Sequence, residues 1–432
     1  MKKENKVGED MIVLGKDCVY NNKMDERDGL NGNVLLVGPS GSGKTVSHVI
    51  PNIYKNSGSF IIMDYKGNLY DKFYGYFKSK EYKIMKLDFT NLQDSVHYNP
   101  MHYIKDEQDM VKIADFIVRS GNGKEGAYDP FWNLSASLLL RALMSIVWHE
   151  KPEKERNLKS VEEYLNKITV VADVRGNIRN CEMDDFVDYL KEKGKKYSGI
   201  QDYLSVRNTA PDTLKSILIS LKTALAKFTS KEVMEILAYD ELEMEKIGER
   251  ETVLFINASD SDSSLDPIIT LLYTQLFNEL MMAADKHKEN DCRLPVATHF
   301  ILDDFASGCP VPNFDRIIAN IRSRNITAML MIQSLQQLYS LYGDKGKVIE
   351  ENCDNRVFFS TLSVDTIKNA SQLSNYPADK IRKMKVDDLL VIRRGQEPKM
   401  TTRYNTFDDP EYKEIMCESK EKIQNTKNTK RR

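Results

Sequence analysis

A glycine-rich run, Gly38-Pro39-Ser40-Gly41-Ser42-Gly43-Lys44-Thr45, stands directly after the apolar stretch Val34-Leu35-Leu36-Val37. Its pattern is G-x-x-x-x-G-K-[ST], in the strand, loop and helix setting that a phosphate-binding loop requires. Backbone N–H groups in such a loop curl around the β- and γ-phosphates, Lys44 adds a point charge, and the Thr45 hydroxyl can ligate Mg2+. The positive end of the helix that starts near Lys44 acts in the same direction. Residues Gly38 to Thr45 are therefore the candidate ATP site, and Mg2+ is the metal expected with it.

Hydrolysis at such a loop needs carboxylates nearby. The segment His299-Phe300-Ile301-Leu302-Asp303-Asp304, an apolar strand ending in an acidic pair, supplies them about 260 residues downstream. Asp303 is the candidate to hold Mg2+ through its water shell, and Asp304 to polarise the attacking water. That separation exceeds the usual spacing in a compact nucleotide-binding domain and predicts an inserted domain. Gln333 closes the apolar run Ile326–Ile332, where a strand-end amide can sense a γ-phosphate or position water. Arg322 and Arg324 lie at a predicted helix end leading into that run, which is expected to bring a guanidinium near the edge of the nucleotide face.

The elements that must carry these residues can be read from the hydrophobic pattern. Short apolar runs recur at Val34–Val37, Phe60–Met63, Ile84–Leu87, Thr252–Ile256, Phe300–Leu302, Ile326–Ile332 and Val357–Phe359, with helical stretches between them. This alternation predicts an α/β fold with a mostly parallel sheet and the nucleotide at the carboxyl ends of its strands. Between Ile104 and Glu245 the pattern becomes helix after helix. There Leu214, Ile217, Leu218, Leu221, Leu225 and Phe228 form one apolar stripe at helical spacing, expected to be core packing. The expected organisation is an N-terminal part of the nucleotide domain over 1–103, an inserted all-α domain over 104–245, the rest of the nucleotide domain over 246–412, and a disordered basic tail over 413–432.

Composition excludes several classes. Of 432 residues, 41% are apolar and 29% charged, ordinary values for a globular protein, and the net charge of −2 requires any nucleic-acid contact to come from a local basic surface. The six cysteines are scattered with no C-x-x-C pair, as expected of reduced thiols. His97 and His102 flank Asn99-Pro100, which breaks the helix that a two-histidine metal site would use. The most apolar segment, Leu134 to Trp148, carries Ser135, Ser137 and Arg141 and reads as a buried helix, short of the roughly 18 apolar residues of a span. The start, Met1-Lys2-Lys3-Glu4-Asn5-Lys6, is not followed by the apolar region of a signal peptide.

Taken together these blocks resemble the TraG/VirD4 family, the conjugative coupling ATPases of type IV secretion systems. The resemblance runs from about Asn31 to Arg403. It rests on the phosphate loop with Val49-Ile50-Pro51-Asn52, on Asp64-Tyr65-Lys66-Gly67-Asn68, Tyr98-Asn99-Pro100 and Asp129-Pro130-Phe131-Trp132, and on Asp260-Ser261-Asp262. Most specific are Leu302-Asp303-Asp304-Phe305-Ala306, Val311-Pro312-Asn313-Phe314, Ile321-Arg322-Ser323-Arg324 and Gln333-Ser334-Leu335-Gln336-Gln337-Leu338. The resemblance implies a RecA-like P-loop NTPase domain with an inserted all-α domain, working as a hexameric homo-oligomer. It implies delivery of single-stranded DNA with its relaxase and relaxosome proteins to the channel proteins of a type IV secretion system. In that reading Lys44, Asp304, Arg322 and Gln333 are catalytic, with Arg322 the preferred trans finger, and Thr45 and Asp303 hold Mg2+.

Two departures stand out. The family usually carries Glu where Asp304 stands, and its members usually begin with a membrane-spanning segment ahead of the phosphate loop. The expectation is a chain at the cytoplasmic face of the membrane, brought there by a separate membrane-anchor protein, with a membrane segment missing from ahead of Met1 as the alternative. A cytosolic DNA-pumping ATPase of the FtsK/HerA type and a nucleotide-binding recruitment platform with little hydrolysis remain as alternatives.

Overall fold

The computed structural model describes residues 10–22, 27, 29–65, 67–121, 130–171, 173–174, 178–259 and 262–417. Its strands are β1 (Met11–Gly15), β2 (Cys18–Asn21), β3 (Val34–Val37), β4 (Ser59–Met63), β5 (Lys83–Asp88), β6 (Thr252–Asn257), β7 (Thr298–Leu302), β8 (Ile326–Ile332), β9 (Asn355–Phe359), β10 (Asp388–Arg393) and β11 (Lys399–Thr402). The chain divides into two compact units, one of residues Met1–Lys86, Glu243–Asp260 and Leu276–Arg432, the other of Leu87–Leu242 and Ser261–Gln275.

The first unit is built on a nine-stranded sheet of order β11-β10-β9-β3-β8-β7-β4-β6-β5. Strands β9, β3, β8, β7, β4 and β6 pair in parallel, as the alternation of apolar runs and helices predicts. Runs such as Val-Leu-Leu-Val in β3 and Ser-Phe-Ile-Ile-Met in β4 are buried at every position, the signature of strands covered on both faces. The sequence reading did not list β1, β2, β10 and β11. The pair β10 and β11 extends the parallel sheet with an antiparallel edge, and β1 with β2 forms a separate hairpin. Asn52 fastens that hairpin by exchanging two 2.9 Å bonds with the Val13 backbone.

The second unit is helical. The helix Pro130–Glu150 packs against the helices Glu107–Gly121, Ser198–Arg207 and Pro211–Leu225. It is long and apolar enough to cross a membrane by length and composition alone, yet Leu139, Leu140, Leu143, Ile146 and Val147 are buried in the protein. That is the arrangement of a core helix. The stripe from Leu214 to Phe228 is likewise buried along its length. In the Tyr98-Asn99-Pro100 block, Asn99 caps the turn Pro100–Tyr103 by accepting from the Met101 N–H at 3.0 Å. The expected tail boundary at 413 is corrected: a helix occupies 410–417, with Tyr412 and Ile415 buried against the sheet unit. Residues 418–432 of that tail, and Lys66, Asp129, Asp260 and Ser261 of the motif blocks, lie outside the described residues.

Candidate functional site

The phosphate loop leaves the carboxyl end of β3 between two other strand ends. The Gly38 N–H donates to the Ile332 carbonyl at 3.1 Å, tying the loop to the end of β8. A Cβ at Gly38 would fall 2.7 Å from Cβ of Phe359 at the end of β9, so only glycine lets the chain pass. Gly43 holds φ at +82°, a left-handed turn that bends the loop back towards the helical segment. Lys44 is buried beneath the loop, its Nζ donating to the carbonyls of Gly38 at 2.6 Å and Pro39 at 3.1 Å. Burial pulls its pKa below the ordinary lysine value, against the opposing pull of Asp303 and Asp304. The Ser42 hydroxyl is buried and has no hydrogen-bond partner among the described residues.

The helix expected from Lys44 opens as a π-helical turn, Thr45–Val49, before the α-helix Ile50–Lys55. Such insertions of one residue per turn concentrate at functional sites. The turn is braced from behind by Ser47, whose Oγ donates to the Gly43 carbonyl at 2.9 Å, and by His48. The His48 ring is fully buried, with Nδ1 2.8 Å from Ser47 Oγ and Nε2 3.2 Å from the Leu14 carbonyl, and burial pushes its pKa down to about 4.

Two positions along the sheet, past β8, the strand β7 ends in the acidic pair. Asp304 sits at φ +46°, a conformation that a non-glycine residue adopts only where its surroundings hold it. Here the Phe305 N–H donates to the Met331 carbonyl at 3.0 Å, and the Phe305 ring packs between Phe314 and Tyr342. The Asp304 N–H donates to Asp303 Oδ1 at 3.0 Å. Gln333, at the end of β8, donates from Nε2 to Asp304 Oδ1 at 3.2 Å. The structure thus gathers Lys44, Asp303, Asp304 and Gln333 at the carboxyl ends of three adjacent strands, where the sequence reading expected a nucleotide.

The arginines require a correction. Arg322 and Arg324 belong to the turn Ile321–Arg324, which precedes β8. They therefore stand at its amino end, and the seven residues of β8 separate them from Gln333. At about 3.3 Å per residue that is roughly 23 Å, so neither can reach the phosphate loop of its own chain. Arg324 pairs with Asp285 at 2.9 Å, whereas Arg322 is exposed.

Other motif residues cap elements. Asp64 Oδ2 accepts from the N–H groups of Leu69 at 2.8 Å and Tyr70 at 2.9 Å at the start of the helix Asn68–Ser79, and burial raises its pKa. Asp262 accepts from the Ser264 N–H at 2.9 Å. The sequence reading gave no role to Arg403, which follows β11 and lies against Gly43 of the loop. The apolar run Leu389–Ile392 followed by Gly395 could have signalled the β10–β11 hairpin. No local pattern marks Thr402-Arg403-Tyr404 as a neighbour of the loop.

The residues fit a nucleotide with Mg2+. A buried Ser42 hydroxyl without a hydrogen-bond partner among the described residues, a buried ammonium held by loop carbonyls, and a hydroxyl at Thr45 form a donor set for phosphate oxygens, with Asp303 beside them.

Residues 1–375 match the family described as type IV secretory system conjugative DNA transfer. The protein VirD4 of Rhizobium radiobacter is 24% identical over 343 residues, 77% of this chain and 46% of that protein. Conjugal transfer protein TraG of Escherichia coli is 23% identical over 360 residues, 79% of this chain and 54% of that protein. The chain spans about half the length of the curated relatives it matches. The plasmid coupling protein TrwB in complex with a non-hydrolysable ATP analogue aligns with a TM-score of 0.63 at 15% identity, covering 89% of each chain. TrwB in complex with ADP and Mg2+ aligns at 0.60 and 14% identity, covering 86% of this chain and 85% of the other. These structures share the fold, a RecA-like α/β domain with a mostly parallel sheet.

Proposed function

The chain belongs to the type IV secretory system conjugative DNA-transfer family, and on that premise we propose that it is an ATP-driven coupling protein that delivers relaxase-bound single-stranded DNA to a transfer channel. The observation that carries the catalytic part is the 3.2 Å bond from Gln333 to Asp304 at the strand end beside the Lys44 loop. Gly38 to Thr45 cradle the phosphates of ATP, and Lys44 exchanges its loop carbonyls for phosphate oxygens. Asp304 accepts a proton from the attacking water, and Gln333 holds that carboxylate in place. Thr45 and Asp303 would hold Mg2+, which would supply positive charge against the charge that develops on the transferred phosphoryl group.

Arg322, out of reach of its own loop, acts on the nucleotide of a neighbouring subunit in a homo-oligomeric ring, which we take to be a hexamer. The helical unit recruits the relaxase and relaxosome proteins, and the protein works at the cytoplasmic face of the membrane, where it meets the channel proteins. Mg2+-dependent ATP hydrolysis by the purified chain, raised by single-stranded DNA and lost in Lys44→Ala, is the expected result. The same variant should reduce DNA transfer to background. Wild-type transfer by Lys44→Ala would sink the reading, and nucleotide binding without turnover in the wild type would leave only a recruitment platform.

A further inference from the structure

The guanidinium of Arg403 lies on the phosphate loop of its own chain. A Cβ built at Gly43 would stand 3.1 Å from Arg403 Nη1, 3.4 Å from Cζ and 3.6 Å from Cδ. The side chain is largely buried, with 21% exposure. Its charge has one carboxylate partner among the described residues, Asp387 at 3.2 Å, and that carboxylate is itself 76% exposed. Nη2 donates to the Val386 carbonyl, while Nε is buried with no hydrogen-bond partner among the described residues. A buried N–H without an acceptor is costly, and a guanidinium fork beside an anion-binding loop is the donor geometry that phosphate oxygens satisfy.

Arg403 is also held in position. Its backbone N–H donates to the Asp387 carbonyl at 3.0 Å, and the buried Thr406 hydroxyl donates to the Val46 carbonyl in the π-helical turn. Farther along, Asp409 accepts from Tyr54 at 2.9 Å and pairs with Lys55 at 2.9 Å. The segment after β11 is thus fastened along the loop and the helix that follows it.

We propose that Arg403 is a nucleotide-binding residue that contacts the phosphate chain of the nucleotide held by the loop of the same chain. The inference rests on the nucleotide-binding reading of that loop, and adds to it a cationic contact from the far end of the sequence. Its chemistry is that of a fixed fork pairing with phosphate oxygens, so lysine, a single point charge, replaces it only in part.

The test is equilibrium binding of ATP, ADP and inorganic triphosphate to the full chain, for the wild type, Arg403→Ala, Arg403→Lys and Lys44→Ala. Arg403→Ala should weaken all three by roughly ten-fold or more, the scale of one charge-assisted contact. Arg403→Lys should recover part of that loss. The melting midpoint without nucleotide should stay near the wild-type value, while the upward shift caused by ATP shrinks. Wild-type affinity in Arg403→Ala overturns the proposal. So does wild-type affinity in Arg403→Lys if the alanine variant fails to fold, because any basic residue would then serve as packing. Loss of ATP affinity with inorganic triphosphate unaffected would put Arg403 at the nucleoside and overturn the phosphate assignment. Lys44→Ala separates the two levels: if it loses binding while Arg403→Ala does not, only this inference fails, and if it binds like wild type the nucleotide reading fails as well.

Discussion

At the amino ends of β3, β8 and β9, polar side chains bond to one another and to the backbone. Asp354 accepts from the Asn31 N–H at 2.6 Å and pairs with Arg394 at 2.6 Å, while Asn33 Oδ1 accepts from the Ala328 N–H at 3.0 Å. At the carboxyl ends of β3 and of its neighbours β8 and β7 the polar groups are less fully engaged. The Ser42 hydroxyl is orphaned, Lys44 is held by loop carbonyls, and Asp304 stands in a left-handed conformation. Asn355 Oδ1 apart, the amino end is bonded within the protein, and the carboxyl end has bonding capacity that a ligand can use. Stability and chemistry should therefore separate between the two ends, and each experiment below probes that separation.

The largest effect is expected at Asp304. Replacing it with Asn removes the charge proposed to accept the water's proton and should lower ATP turnover by about two orders of magnitude, measured at saturating ATP. Asp304→Glu should keep or raise turnover, since it keeps the charge and carries it about one methylene closer to the water. Wild-type hydrolysis by Asp304→Asn would remove the catalytic role from this end of the sheet.

Arg322 tests whether the amino end contributes to chemistry across a subunit boundary. Arg322→Ala and Lys44→Ala chains should each be silent alone, yet regain part of the activity when mixed, because each supplies what the other lacks. Arg324→Ala, whose native partner is Asp285, is the control. Rescue by Arg324→Ala instead would move the finger by two residues, and rescue by neither would confine chemistry to the carboxyl end.

Asp354→Ala should act on stability alone. It strips a buried carboxylate from the Asn31 N–H and from Arg394, and should cost about 2 kcal/mol in denaturant unfolding while leaving turnover per folded molecule unchanged. A comparable loss of turnover would show that the two ends are not independent.

The smallest effect concerns pH. His48, behind the loop, has a folded pKa of about 4 against 6.5 for the ordinary imidazole. Between those values the unfolded chain binds more protons, so this contribution to stability is complete above about pH 6.5 and is lost as pH falls towards about 4. The slope should not exceed about 1.4 kcal/mol per pH unit. His48→Gln should flatten that limb of the unfolding profile, and an unchanged limb would exonerate the buried ring.

Much of this contrast was legible in the sequence. The phosphate loop, the acidic pair and Gln333 each follow an apolar run, and a parallel sheet collects such strand ends at one edge, so their convergence follows from topology. The direction of the arginines was misread because a residue between a helix and the next strand lies at the opposite edge, however close in sequence it is to Gln333. Arg403 was illegible for another reason. Its contact with Gly43 depends on a hairpin folding back at the far end of the sheet, and nothing local in a hairpin's sequence says which distant loop it will cover. The four-residue strands β2 and β11 escaped notice because runs such as Cys-Val-Tyr-Asn carry weak alternation, whereas β1 and β10 contain apolar runs that could have been read.

The pairing of β3 has a consequence for how the protein is made. Both neighbours of this strand come from the last quarter of the chain, with Val34 opposite Met329 and Asn355. The bond from Ala328 to Asn33 spans 295 positions. At 5–20 residues per second a ribosome needs roughly 15 to 60 s to synthesise that interval, during which the phosphate loop has been translated but its walls do not yet exist. The acidic pair, Gln333 and Arg403 emerge only towards the end of synthesis. An interrupted translation product would therefore carry the loop motif without the acidic pair, Gln333 and Arg403 that stand around it.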